Sequence, residues 1–167
     1  FREKGISMLD IKSLSAYVTD GKASGDPAIL PGFDRFLRIR QSFGAWSWNG
    51  IFWSGFDLNE AAVLANPKDY YVKFETNTKS TASISQGNFI LGGDRQETRY
   101  NPAENGALNT YGQWKTMRVD LTEFYKDASQ GNGTYLKTGW NTFVFSYQPT
   151  VDVNDDFSVC NFRIVKK

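Results

Sequence analysis

At 167 residues the chain has the size of one ordinary domain, long enough to bury a core without disulfides or metal. Its 19 Lys and Arg against 18 Asp and Glu leave a formal charge of +1, which argues against the single-sign field that draws nucleic acid or anionic membrane. There is no histidine, so Ser/His and Cys/His nucleophile pairs are excluded and a zinc site would rest on carboxylates and one thiol. Hydrolysis by two carboxylates survives that exclusion.

The chain opens on FREKGISMLD, which has neither the features of a signal peptide nor an initiator Met. Residues 1–167 therefore read as one domain cut from a longer protein. No apolar run reaches transmembrane length. Two short runs, ISML and LSAYV, predict strands, and the cluster DGKASGDPAILPG at 20–32 predicts a loop. FDRFLRIRQ, 33–41, alternates Leu37 and Ile39 with Arg38 and Arg40, the pattern of a strand buried on one face.

AWSWNGIFW, 45–53, places three of the five tryptophans in eight positions. On an extended strand Trp46 and Trp48 share a face about 7 Å apart, and Asn49-Gly50 is a favoured hairpin dipeptide. The chain is therefore expected to reverse there, bringing Trp53 beside the first two. Tryptophan is buried on average. Against a purely structural role, Leu37 and Ile39 already supply a core face, the neighbours are small and polar, and an indole pairs a large apolar face with a polar N–H.

Further on, DLNEAAVLANP, 57–67, predicts a short helix with Asp57 or Asn59 as N-cap and Pro67 as stop. YYVKFETNT, 70–78, alternates Val72 and Phe74 with Lys73 and Glu75 as a strand. QGN at 86–88, LGGD at 91–94, NPAENG at 101–106 and QGNG at 130–133 predict turns. The strand series resumes with WKTMRVDL, 114–121, turning Met117, Val119 and Leu121 inward, and LTEFYKDAS, 121–129, allows one helical turn. WNTFVFSY, 140–147, turns Phe143 and Phe145 inward, and FSVCNFRIV, 157–165, aligns Cys160, Phe162 and Ile164 against Asn161 and Arg163. Cys160, the lone cysteine, is expected to be buried. Trp114 and Trp140 each begin a regular strand beside core positions and read as structural. Many short alternating strands joined by Gly, Asn and Pro loops predict an all-β protein, an antiparallel β-sandwich of jelly-roll type.

A platform of tryptophan suits a neutral, hydroxyl-rich ligand with C–H faces, a carbohydrate, whose hydroxyls polar side chains then bind. GGDRQETRYNP, 92–102, offers such partners in Asp94, Arg95, Gln96, Glu97, Arg99 and Tyr100. The expected site is Trp46, Trp48 and Trp53 for stacking, with Arg95, Glu97 and Tyr100 setting orientation, and no catalytic residue or metal ligand. Two other classes stay open. A jelly-roll glycoside hydrolase or lyase would need paired carboxylates from among Glu75, Glu97, Glu104, Asp120 and Glu123, none of which lies in a catalytic motif. An adhesive sandwich would contact protein through the tryptophan patch. Asp10, Asp20, Asp152, Asp155 and Asp156 offer oxygen ligands for a structural calcium ion, without the spacing of an EF-hand.

LRIRQSFGAWSW, a short FW segment, DYYVKFETNT, RYNP, NTYGQWKTMRVDLTEF and FSVCNFRI occur in that order. Together they resemble the carbohydrate-binding C-terminal domain of the surface glycan-binding lipoproteins of Bacteroidetes, over about residues 33–165. The resemblance implies a β-sandwich at the outer membrane, facing outward and held by a lipidated N-terminus that lies outside these residues. It implies a noncatalytic partner of polysaccharides, handing them to an outer-membrane importer and surface glycosidases of the same polysaccharide utilisation locus. The implied ligands are plant or dietary glycans on a shallow aromatic surface, with Trp46, Trp48 and Tyr100 matching the family's aromatic positions. Family members often carry an aromatic after the Pro of RYNP; this chain has Ala103.

Overall fold

The computed structural model describes residues 4–10, 12–43, 49–78, 84–91, 97–100, 110–122, 136–149 and 153–167; at 41–43, 49–53, 84–91, 97–100, 142–149 and 153–157 it describes the backbone alone. In chain order the strands are β1 (Ile6–Ser7), β2 (Val18–Thr19), β3 (Phe36–Phe43), β4 (Asn49–Leu58) and β5 (Tyr70–Thr78). They continue with β6 (Ile84–Leu91), β7 (Glu97–Tyr100), β8 (Lys115–Asp120), β9 (Gly139–Pro149) and β10 (Val153–Lys166). All pairings are antiparallel.

The strands form two sheets. One is six-stranded in the order β2-β3-β10-β5-β8, with β1 also beside β10; the other is four-stranded, β4-β9-β6-β7. β10 runs for 14 residues, long enough to take β3 along Val153–Val159 and β1 at Arg163–Ile164. Leu37 and Ile39, Val72 and Phe74, Met117 and Val119, and Phe162 and Ile164 line the inner face of the larger sheet. They pack in one cluster with Phe56 and Leu58 of the smaller. Period-2 burial along β3, β8 and the first half of β5 thus makes the sandwich the sequence predicts. The Phe74 and Phe162 rings stack at its centre with centroids 4.5 Å apart.

Several local expectations are corrected. In LSAYV, residues Ser15–Tyr17 form a 3-10 turn anchored by buried Leu14, and only Val18–Thr19 are extended. The helix within 57–67 shrinks to α1 (Ala61–Ala65), with Glu60 at its N-cap and no side-chain cap. Asp57 belongs to β4 instead, where the pull of pairing with β9 exceeds that of capping. QGN at 86–88 lies inside β6, satisfied on both sides by β7 and β9.

Asn49-Gly50 likewise makes no hairpin. Both residues pair with β9, at Tyr147 and Ser146, and a register irregularity falls between Gly50 and Phe52. β3 and β4 lie in different sheets, so their long-range partners override the local turn preference of the dipeptide.

In β10 the expected alternation breaks at a bulge. Between Cys160 and Arg163 the register against β5 shifts by one residue, and Asn161 takes φ 55°, a left-handed conformation that Asn tolerates. Cys160 is buried but leaves the core cluster to sit opposite Glu75, while Phe162 and Ile164 stay inward. The bulge also aims Arg163 at Glu75, joined at 3.1 Å. The 20–32 loop folds across the same outer face. Buried Arg38 donates to Asp26 at 2.7 Å, and the Trp114 indole N–H donates to the Ala28 carbonyl at 2.7 Å.

Candidate functional site

Of the expected site residues, Trp46, Trp48 and Arg95 lie outside the described residues, as do Asp94, Gln96 and Ala103. Trp53, Glu97 and Tyr100 are placed by their backbones. All three belong to the four-stranded sheet, Trp53 in the edge strand β4 and the other two in the opposite edge strand β7. The register links Trp53 to Val144, Val144 to Ile90 and Ile90 to Glu97, one transverse row over all four strands. With strands about 4.8 Å apart, the row spans about 14 Å. Tyr100 ends β7 in another row, through Gly87 and Tyr147 to Asn49, the residue after Trp48.

Trp140, the second residue of β9, lies outside the core. It is 56% exposed. Its register partner is Asp57, and its ring lies across Gly55, the position two earlier on β4. A Cβ at Gly55 would stand 2.0 Å from Cζ2 and 2.5 Å from Cε2 of the indole, so only glycine lets the ring rest there. Ser54, Phe56 and Leu58 are buried and alternate with exposed Asp57. Asp57, and with it Trp140 opposite, therefore occupies the outer face. Nothing in the residue pattern of 140–147 distinguishes a ring packed inward from one lying over a neighbouring glycine; the signal is in the pairing.

The chain leading to Trp140 is braced. Buried Asn141 accepts from the Lys137 N–H at 2.9 Å and donates to the carbonyls of Lys137 and Gly139 at 2.8 and 2.9 Å. Gly139 takes φ 90°, open to glycine and costly for other residues. Beside Trp140 an open groove of about 620 Å³ runs between the β4 edge and the N-terminal segment, with Asp10, Lys12, Arg35 and Asp57 in its lining. The Asp10 N–H donates to Ser54 Oγ at 2.7 Å, and the Lys12 N–H to Asp10 Oδ1 at 3.0 Å, fixing that wall. Two carboxylates face two cations, so the groove carries no net charge.

Trp114 keeps the structural role expected of it. Besides its bond to Ala28, its ring meets Phe36 edge-on at 5.4 Å. Two of the carboxylates that a hydrolase would use, Glu75 and Asp120, are engaged otherwise. Glu75 is held by Arg163 and Thr116. Asp120 binds Lys167 and Thr122; burial works to raise its pKa, but these bonds outweigh it and hold the carboxyl below its usual range. Glu104 and Glu123 lie outside the described residues.

Of the aspartates proposed for calcium, Asp20 forms an ion pair with Lys22, while Asp155 and Asp156 stand opposite Gln41 and Arg40 in the backbone register of β10 and β3. Asp152 lies outside the described residues. Among the described residues no three His, Cys, Asp or Glu converge on a point where an ion could sit.

The fold recurs in solved carbohydrate-binding proteins. A family 30 carbohydrate-binding module from a cellulosomal cellulase of Clostridium thermocellum superposes with TM-score 0.56 at 11% identity, covering 100% of this chain and 95% of that one. Surface glycan-binding protein B from Prevotella bryantii gives TM-score 0.57 at 13% identity over 98% of this chain. Its counterpart from a complex xyloglucan utilization locus in Bacteroides uniformis gives 0.54 at 16% over 90%. The present chain spans 56% and 45% of those two proteins. No curated protein sequence matches. Residues 11–166 match the family model of the surface glycan-binding protein B xyloglucan binding domain, and the chain belongs to that family of noncatalytic glycan-binding domains.

Proposed function

We propose that residues 1–167 form one domain that captures polysaccharide on the outer face of its four-stranded sheet, with Trp46, Trp48 and Trp53 stacking on successive sugars. The observation that carries this reading is the register row joining Trp53 to Glu97. It puts an aromatic and a hydrogen-bonding residue, 44 positions apart in sequence, in one line across a single sheet. Glu97 takes hydroxyls along that line, and Arg95, two residues before it in sequence, supplies a further donor. Tyr100 acts at the end of the sheet, in the row of Asn49 next to Trp48.

Xyloglucan is the ligand class to test first, since the family carries that name and the Bacteroides uniformis relative comes from a xyloglucan utilization locus. Its neutral backbone suits a chain whose formal charge is only +1. Hydroxyl bonds to protein exchange against bonds to water, so one site binds weakly, about 4–8 kcal/mol or millimolar to micromolar. Dense display at the bacterial outer membrane, through a lipid anchor outside these residues, raises capture by multivalency. The glycan then passes to the importer and surface glycosidases of its locus.

The test replaces Trp46 and Trp48 with Ala together, verifies folding by circular dichroism, and titrates xyloglucan by calorimetry. Affinity is expected to fall at least tenfold. Unchanged affinity in a folded variant refutes the platform.

A further inference from the structure

Trp140 lies well away from the platform just described. It sits four positions from Val144 along β9, about 13 Å from the Trp53 row at 3.3 Å per residue, and toward the opposite end of the strand from Tyr147. A side chain this large, 56% exposed, forgoes much of the burial that makes tryptophan useful to a core. Yet the ring is positioned with care: Gly55 is bare beneath it, Asn141 braces its turn, and the groove beside it is walled by a hydrogen-bonded segment.

We infer that Trp140 and the groove between β4 and Asp10–Lys12 form a further sugar subsite, taking a neutral pyranose unit of the same glycan. The inference rests on the glycan-binding reading above and extends it to the far end of the sheet. One indole face is occupied by the Gly55 backbone, leaving the other to stack on the C–H face of a sugar. Asp10 and Asp57 accept from hydroxyls, and Lys12 and Arg35 donate to them. Because these charges balance, the groove favours an uncharged unit over a uronate. Continuity with the Trp53 row gives the occupant: a chain long enough to cover both ends of the sheet.

The experiment titrates the 167-residue chain and its variants with xyloglucan and with polygalacturonate, by calorimetry and affinity electrophoresis, alongside thermal unfolding. Trp140→Ala is expected to lose about tenfold in affinity for xyloglucan, equivalent to about 1.4 kcal/mol, with an unchanged Tm, and Trp140→Phe to retain most of it. Gly55→Ala keeps the indole but pushes it off its seat, and is expected to reproduce the loss. If Trp140→Ala binds within twofold of the wild type while Trp46→Ala/Trp48→Ala loses binding, the subsite is wrong and the platform stands. If the double variant binds normally and Trp140→Ala does not, the subsite stands and the platform fails. Polygalacturonate bound as tightly as xyloglucan overturns the neutral assignment, and a wild type that retains no neutral polysaccharide overturns both readings.

Discussion

Glu75 separates a structural carboxylate from a chemical one, and its replacement by Gln tests which it is. The Glu75 and Arg163 side chains are 9% and 6% exposed and meet at 3.1 Å. At an effective dielectric of 20 that distance gives about 5 kcal/mol of attraction, set against a desolvation cost of several kcal/mol per ion. The intact pair therefore contributes little net stability, but removing one charge strands the other. Breaking such a pair costs about 3–5 kcal/mol. The lower figure applies here, because Arg163 keeps a 2.9 Å bond to the Asn161 carbonyl after the substitution.

For a domain of this size about 3 kcal/mol lowers Tm by about 6–12 °C. Thermal unfolding followed by circular dichroism measures it. Replacing both partners, Glu75→Leu with Arg163→Met, is expected to recover most of the loss, since neither charge is then left buried. Glycan affinity well below Tm stays unchanged, as Glu75 belongs to the six-stranded sheet. A Tm within 2 °C of the wild type for Glu75→Gln would refute the reasoning, showing that water reaches the pair and screens it.

Two further outcomes follow from the 20–32 loop. Burial works to raise the pKa of Asp26, but bonds from Thr19, Arg38 and the Ala23 N–H outweigh it and hold the carboxyl below its ordinary value of 3.8. Its stabilising effect is therefore complete above about pH 3.8 and lost as the pH falls through the lower folded value. Asp26→Asn is expected to lower Tm at neutral pH by roughly 6–12 °C, from about 3 kcal/mol, and to remove that part of the acid-induced decline in a pH series of melts. Trp114→Phe deletes the 2.7 Å bond to Ala28, costing about 1 kcal/mol and 2–4 °C, while calorimetry finds glycan binding intact.

How far the fold could be read from sequence depended on whether local pattern and long-range pairing agreed. Val72 and Phe74 alternate with Lys73 and Glu75 in a strand whose neighbour β8 follows the same period, and β5 falls on residues 70–78 as expected. Asn49-Gly50 is the opposite case: its turn preference is local, and β9 supplies a partner through Gly50 that the preference cannot match. The bulge at Asn161 escapes a period-2 reading because one inserted residue shifts the register without altering composition. Glu75 looked like an outward charge on a regular strand, and its burial came from Arg163, 88 positions away.

The same limit explains the two tryptophans that seemed alike. Trp114 and Trp140 each stand at the start of a strand beside core positions, and each was expected to be structural. What separates them is the residue each one meets from elsewhere in the chain. Trp114 finds Phe36 and a carbonyl, partners that hold its ring edge and satisfy its N–H. Trp140 finds Gly55, a surface with no side chain, which supports one ring face and leaves the other to solvent. A glycine two positions from an exposed aspartate on an edge strand carries no signal alone; set by the β4–β9 register beneath a tryptophan, it makes the difference between a buried indole and one available to stack on a ligand.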